Sequence, residues 1–203
     1  MTRDPLSVFI NVPFDDAYDP LLEALIFAIQ GSGYKVRCAL EENDSGDIRL
    51  DKLARLIGES PRSIHDLSRV VVPDLPRFNM PFELGMVMGA KRYSRSRKRD
   101  RVVIMVNERF QFPAYLSDLA GNDTHPHNGN PHNVIGVVRD FLDHAPNGRP
   151  LPGRAALVET FDQFKRELPD IAHVIRHRVE EVHVRRNYRA FIWCVTEFLK
   201  RAG

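Results

Sequence analysis

Five carboxylates sit where elements of the chain are expected to end: Asp15, Asp16, Glu41, Asp66 and Glu83, with Arg37, Arg69 and Arg77 nearby. Carboxylates at strand ends suit the hydroxyls of a sugar, and arginines suit a phosphate. Glu83 is the most informative of them. The sequence predicts a helix beginning at Asn79 as N-cap, with Pro81 and Glu83 in its first turn. A first-turn acid commonly does no more than complement the helix dipole. The functional reading is a carboxylate held ionised by that dipole, which suits a nucleophile or a ribose anchor. A general acid would need a raised pKa instead. Gly85 and Gly89 follow one pitch on, where missing side chains would let the helix approach a sheet closely.

Several chemistries are excluded by what stands in their place. Neither a P-loop nor a dinucleotide fingerprint follows the first strand, which leads into Val12-Pro13-Phe14-Asp15-Asp16. That argues against a kinase or an ordinary dehydrogenase. His125, His127 and His132 with Asp123 fall in an Asn/Gly/Pro-rich loop, so no metal site is expected. His173 and His177 are spaced for one helical face, but Val174 stands where a metalloprotease helix needs Glu. Ser68 lacks the Gly-x-Ser-x-Gly elbow of a hydrolase triad.

The 203 residues, 43% hydrophobic and 28% charged, suit one globular domain with an appendage. The longest apolar stretch, Leu21 to Ile29, is about half a membrane span. The amino end lacks the pattern of a secretory leader. With only Cys38 and Cys194, a reducing cytoplasmic compartment is expected and a disulfide scaffold is not. Charge is uneven: residues 1–60 carry 11 acidic and 6 basic residues, and residues 61–203 carry 16 and 23. The densest basic run is Arg92, Arg95, Arg97, Lys98, Arg99 and Arg101. A solvated loop is the commoner meaning of such a run, and only Tyr93 interleaves it, so no nucleic-acid partner is expected.

These residues need elements to position them. Strands are predicted at Ser7–Val12, Tyr34–Leu40, Ile64–Leu67 and Arg101–Val106, with a fifth between Tyr115 and Thr124. Helices are predicted at Leu21–Gln30, Leu50–Ile57, Asn79–Arg92 and Val134–Leu142, with an acidic loop over Glu41–Asp47. This alternation predicts an α/β fold with an open, mostly parallel sheet of about five strands and helices on both faces. Its ligands should bind beyond the carboxyl ends of the strands, where strand order reverses. After a Pro/Gly-rich linker at Ala145–Gly153, two apolar stripes predict a helical extension over 154–203. The first is Leu157, Phe161, Phe164 and Leu168. The second is Tyr188, Phe191, Ile192, Val195, Phe198 and Leu199, with Trp193 beside it.

The segments "VFINVPFDDAYDPLLEALIFAI", "RLDKLARLIGESPRSIHDLSR" and "FNMPFELGMVMGAK" resemble the TIR domain and nucleoside 2-deoxyribosyltransferase-like superfamily. The match looks closest to a bacterial TIR-like group with an "HDLSR…PRFNMPFELG" signature, and covers about residues 6–145. The resemblance implies a flavodoxin-like α/β domain over residues 1–146. It implies that Glu83 is the catalytic glutamate, that Asp66 lines a ribose site, and that the loop Pro13-Phe14-Asp15-Asp16 covers the nucleotide; Arg77 and Asn79 are expected to bind the substrate as well. The implied reaction is cleavage of the N-glycosidic bond of NAD or a related nucleotide, as substrate rather than cofactor. Homo-oligomeric assembly and a role as a bacterial antiviral defence effector belong to the same expectation. A non-catalytic nucleotide-sensing or assembly module shares every motif.

Overall fold

The structure is a computed structural model that describes residues 3–41, 46, 48–70, 77–108 and 114–202. Most of the expected acidic loop (42–45 and 47) and the loop at 71–76 lie outside the described residues. Five strands form one open parallel sheet in the order β2-β1-β3-β4-β5. They are β1 (Ser7–Asn11), β2 (Lys35–Arg37), β3 (Arg62–Asp66), β4 (Arg101–Val106) and β5 (Thr124–Pro126). The expected flavodoxin-like α/β arrangement is therefore present. Strands β1 and β4 are apolar runs because central strands of a parallel sheet are covered on both faces. Strand β5 begins only at Thr124, at the very end of the predicted window. It is a polar three-residue edge strand, too short to leave a period-2 pattern.

Among the described residues the α-helices are α1 (Asp19–Gly31), α2 (Arg49–Glu59), α3 (Asn79–Tyr93), α4 (Pro131–Leu142), α5 (Arg154–Val174) and α6 (Tyr188–Ala202). Contacts group the described chain into two compact units. The first comprises residues 1–13 and 36–130, with most of the sheet, α2 and α3. Phe9 of β1 packs with Leu53, Leu56 and Ile57 of α2 and Val87 of α3. Met80 and Leu84 of α3 pack with Leu67, Val70 and Ile104.

The second unit comprises residues 14–35 and 131–203, with α1, α4, α5 and α6. This grouping does not follow the boundary expected between residues 146 and 154. The physical reason lies in α1, whose Leu21, Leu22 and the run Ala24–Ile29 are all buried. A helix apolar on most faces needs cover on more than one side, and α4, α5 and α6 all pack against it. Phe27 lies 5.3 Å from Phe161 and 5.4 Å from Phe164, ring centre to ring centre. The stripe on α6 is thus covered by the chain itself. His177 falls beyond the end of α5, so the expected helical pair with His173 does not form. No helix among the described residues is long and apolar enough to cross a membrane.

Candidate functional site

In the order β2-β1-β3-β4-β5 the strand sequence reverses between β1 and β3, where an open α/β sheet offers its ligand crevice. Those two strands run in register, Asn11 opposite His65, and end with Asn11, His65 and Asp66. All three side chains are buried. The Asn11 amide donates from Nδ2 to the backbone carbonyl of Met80 at 2.8 Å and lies 3.1 Å from His65 Nδ1. This pins the start of α3 against the end of β1. Glu83 lies one turn further along the same buried face, only 5% exposed.

Three expectations about α3 are corrected here. Asn79 is the first helical residue rather than its N-cap, because the Met80 N–H already bonds the Arg77 carbonyl and the Phe82 N–H the Phe78 carbonyl. Glu83 consequently lies beyond the first turn, where the dipole acts weakly. The Asn79 side chain instead bonds the Glu83 carboxyl. Burial pushes the Glu83 pKa up, while the charge of Arg49 and the Asn79 hydrogen bond pull the other way and lose. The carboxyl is thus harder to ionise than usual, opposite to the expectation from the dipole. The glycines also face away from the sheet. Gly85 is exposed, and a Cβ added there or at Gly89 would meet nothing within 4 Å among the described residues.

The remaining carboxylates are held by their own structure. Asp15 accepts the Tyr18 N–H at 3.0 Å and so serves the entry to α1. Asp16 pairs with Arg185, which also grips Asp19. Glu41 pairs with Arg37 at 2.8 Å and accepts the Cys38 N–H, and Arg37 also reaches Glu59. Asp66 is 0% exposed; its Oδ1 accepts the Ser68 N–H at 2.8 Å and its Oδ2 lies 3.1 Å from His127 Nε2. The Ser68 contact is an Asx turn, which departs from an aspartate opening onto a ribose.

The structure therefore brings Glu83 and Asn79 into contact, while Phe14 and Asp15 belong to the second unit and Pro13 ends the first segment of the first. Arg77 is half-buried beside α3, its N–H on the Val70 carbonyl. No group of three metal-ligating side chains exists among the described residues. Sequence reading missed Asn11, His65, Arg49 and Arg185. Asn11 had a legible signal, as a polar residue closing an apolar buried strand.

His65 makes a measurable prediction. With Nδ1 accepting from Asn11, its proton sits on Nε2, a buried atom with no hydrogen-bond partner among the described residues. Burial pushes its pKa down to about 3. Its folded pKa is below the unfolded value, so it leaves stability intact above about pH 6.5 and removes it as pH falls toward 3. Stability should drop by about 2 kcal/mol between pH 7 and pH 5 from this group alone. Urea unfolding at both pH values checks it, and His65→Gln should flatten the difference. An undiminished difference in that variant would assign the acid sensitivity elsewhere. No protein-family model and no curated protein matches the chain.

Proposed function

We propose that this protein binds a nucleotide at the carboxyl ends of β1 and β3 and cleaves its N-glycosidic bond, with NAD or a related nucleotide as substrate. Glu83 serves as nucleophile or as stabiliser of the oxocarbenium-like transition state. One observation carries this reading: a glutamate buried one turn along the helix that Asn11 pins to the end of β1, whose ionisation costs more than its partners return. A carboxylate in that state is stabilised most by positive charge arriving beside it, and a ribosyl oxocarbenium is such a charge. The interaction is then stronger in the transition state than in the ground state, which is what accelerates a reaction. In the reaction the bond from the anomeric carbon to the base nitrogen breaks and its electron pair leaves with the base. Water, or a second base, then supplies the new bond to that carbon. The TIR-like and deoxyribosyltransferase-like resemblance supports the same residue. A cytoplasmic, homo-oligomeric antiviral effector is the setting that the resemblance implies.

Chromatography of NAD, NADP and common nucleotides after incubation with the protein tests the reading, with Glu83→Gln beside it. Released base that depends on Glu83 supports it, and intact nucleotides throughout remove it. Asp66 favours the second reading, a non-catalytic nucleotide-sensing or assembly module, since its oxygens are engaged inside the fold. Asp66→Ala should cost about 1–3 kcal/mol of stability by stranding buried donors. Calorimetric titration then divides the readings: unchanged nucleotide affinity with a lowered melting temperature confines Asp66 to the fold. Lost affinity at preserved stability places it in the binding site.

A further inference from the structure

The outward face of α3 is unusual for a solvent-facing helix. Phe78 is 63% exposed, Phe82 56% and Tyr93 88%. At 100° per residue Phe78, Phe82, Gly89 and Tyr93 fall within about 60° of one another, so the rings line one face about 20 Å long. Gly85 and Gly89 leave the space between them open. On another flank of the helix a concavity of about 510 Å³ is lined by Met88, Lys91, Arg92 and Lys98, and Arg92 precedes Tyr93 directly in the chain. Arg95 and Arg99 are exposed in the turn that follows. The one acid of this run, Asp100, is 5% exposed and already paired with Arg3 and Arg97. Lys91 reaches the Asp100 carbonyl at 2.6 Å.

A cationic last turn complements the dipole of α3, which accounts for Lys91 and Arg92. It accounts neither for Arg95, Lys98 and Arg99 nor for the exposed rings of Phe82 and Tyr93. A second copy of the chain on this face would set like charge against like. We infer that this face binds single-stranded nucleic acid, its phosphates on Arg92, Lys98 and their cationic neighbours and its bases on Phe82 and Tyr93. Cations that track a backbone beside aromatic platforms are the general means of holding single strands without reading sequence. The linear sequence hides the arrangement, because Phe82 and Tyr93 are eleven positions apart and share a face only through the helical period.

Fluorescence anisotropy of a labelled oligothymidine of about 20 nucleotides tests this. Binding should be micromolar at low salt, with a logarithmic salt slope of about −3 if four phosphates are neutralised. The double variant Arg92→Glu, Lys98→Glu should bind at least tenfold more weakly. The double variant Phe82→Ala, Tyr93→Ala should lose about fivefold or more on the oligonucleotide while keeping its affinity for heparin. All four side chains are exposed, and the milder Arg92→Gln, Lys98→Gln pair, with a smaller loss in the same direction, serves if charge reversal impairs folding. Absence of binding at low salt overturns the inference. So does heparin or duplex binding equal to single-strand binding with no effect of the aromatic variant, which marks a general polyanion surface. Glu83→Gln should bind the oligonucleotide as the parent does, which keeps this result separate from the nucleotide-cleavage reading.

Discussion

Glu83→Gln should lower the turnover of a cleavable nucleotide by about a hundredfold or more, and raise the melting temperature at neutral pH. The two effects have one electrostatic origin. Gln keeps the shape of the side chain and its contact with Asn79 but carries no charge. The transition state therefore loses its counter-charge, and the free protein loses a buried carboxylate that was costly to ionise. The sign follows from linkage. A carboxyl whose folded pKa is raised contributes full stability below its unfolded pKa, and that contribution is lost as pH rises through the folded pKa. The non-titrating variant escapes that loss, so its stability advantage should appear at neutral pH and close as pH falls below the ordinary carboxylate range. Because catalysis needs the ionised form, the acid limb of kcat/KM should lie above that range as well. Parallel melting curves and a pH-rate profile read both effects. Unchanged turnover removes Glu83 from the chemistry, and a lowered melting temperature makes it a structural partner of Arg49 and Asn79.

How much of this was legible in the sequence differs from element to element. The apolar runs of β1 and β4 and the all-round apolar α1 announce a parallel sheet with well-covered helices, and the sheet is there. Strand β5 could not be read, since Thr-His-Pro carries no alternation and pairs only as an edge. The helical extension was visible as two stripes, but not what they cover. Periodicity states that a face is buried and says nothing about its partner. Only the aromatic contacts of Phe27 show that α1 takes that role.

The site was legible in residue type and much less in state. Glu83 stands out by its place near the start of a helix, yet its protonation is decided by desolvation, by Arg49 thirty-four positions away in the chain, and by Asn79. Asp15, Asp16 and Glu41 looked available because their partners, the Tyr18 N–H, Arg185 and Arg37, are set by tertiary packing and local turns. A carboxylate count cannot separate a ligand from a cap.

Phe164→Ala should be the most destabilising single change in the helical unit, at about 3–5 kcal/mol and a fall of roughly 10 °C or more in melting temperature. Phe164 is 0% exposed. Its ring lies 5.4 Å from Phe27, 5.9 Å from Phe191 and 5.5 Å from Phe198, so it joins α1, α5 and α6 at one point. Deleting it removes apolar area and three ring contacts, and leaves a cavity that three helices would have to collapse to fill. Phe164→Leu should recover a good part of the loss, because it restores volume without the ring geometry. Trp193, on α6 but 38% exposed, supplies the contrast: Trp193→Ala should cost far less in the isolated protein. Thermal unfolding followed by circular dichroism ranks the three variants. If α5 and α6 merely decorated an α/β domain complete without them, Phe164→Ala would lower only the helical signal and leave the main transition in place. The buried face of α1 argues for the other result, loss in a single transition. By the same reasoning a chain ending at residue 153 should be poorly soluble, since Phe27 then loses the rings of Phe161, Phe164 and Phe198 together.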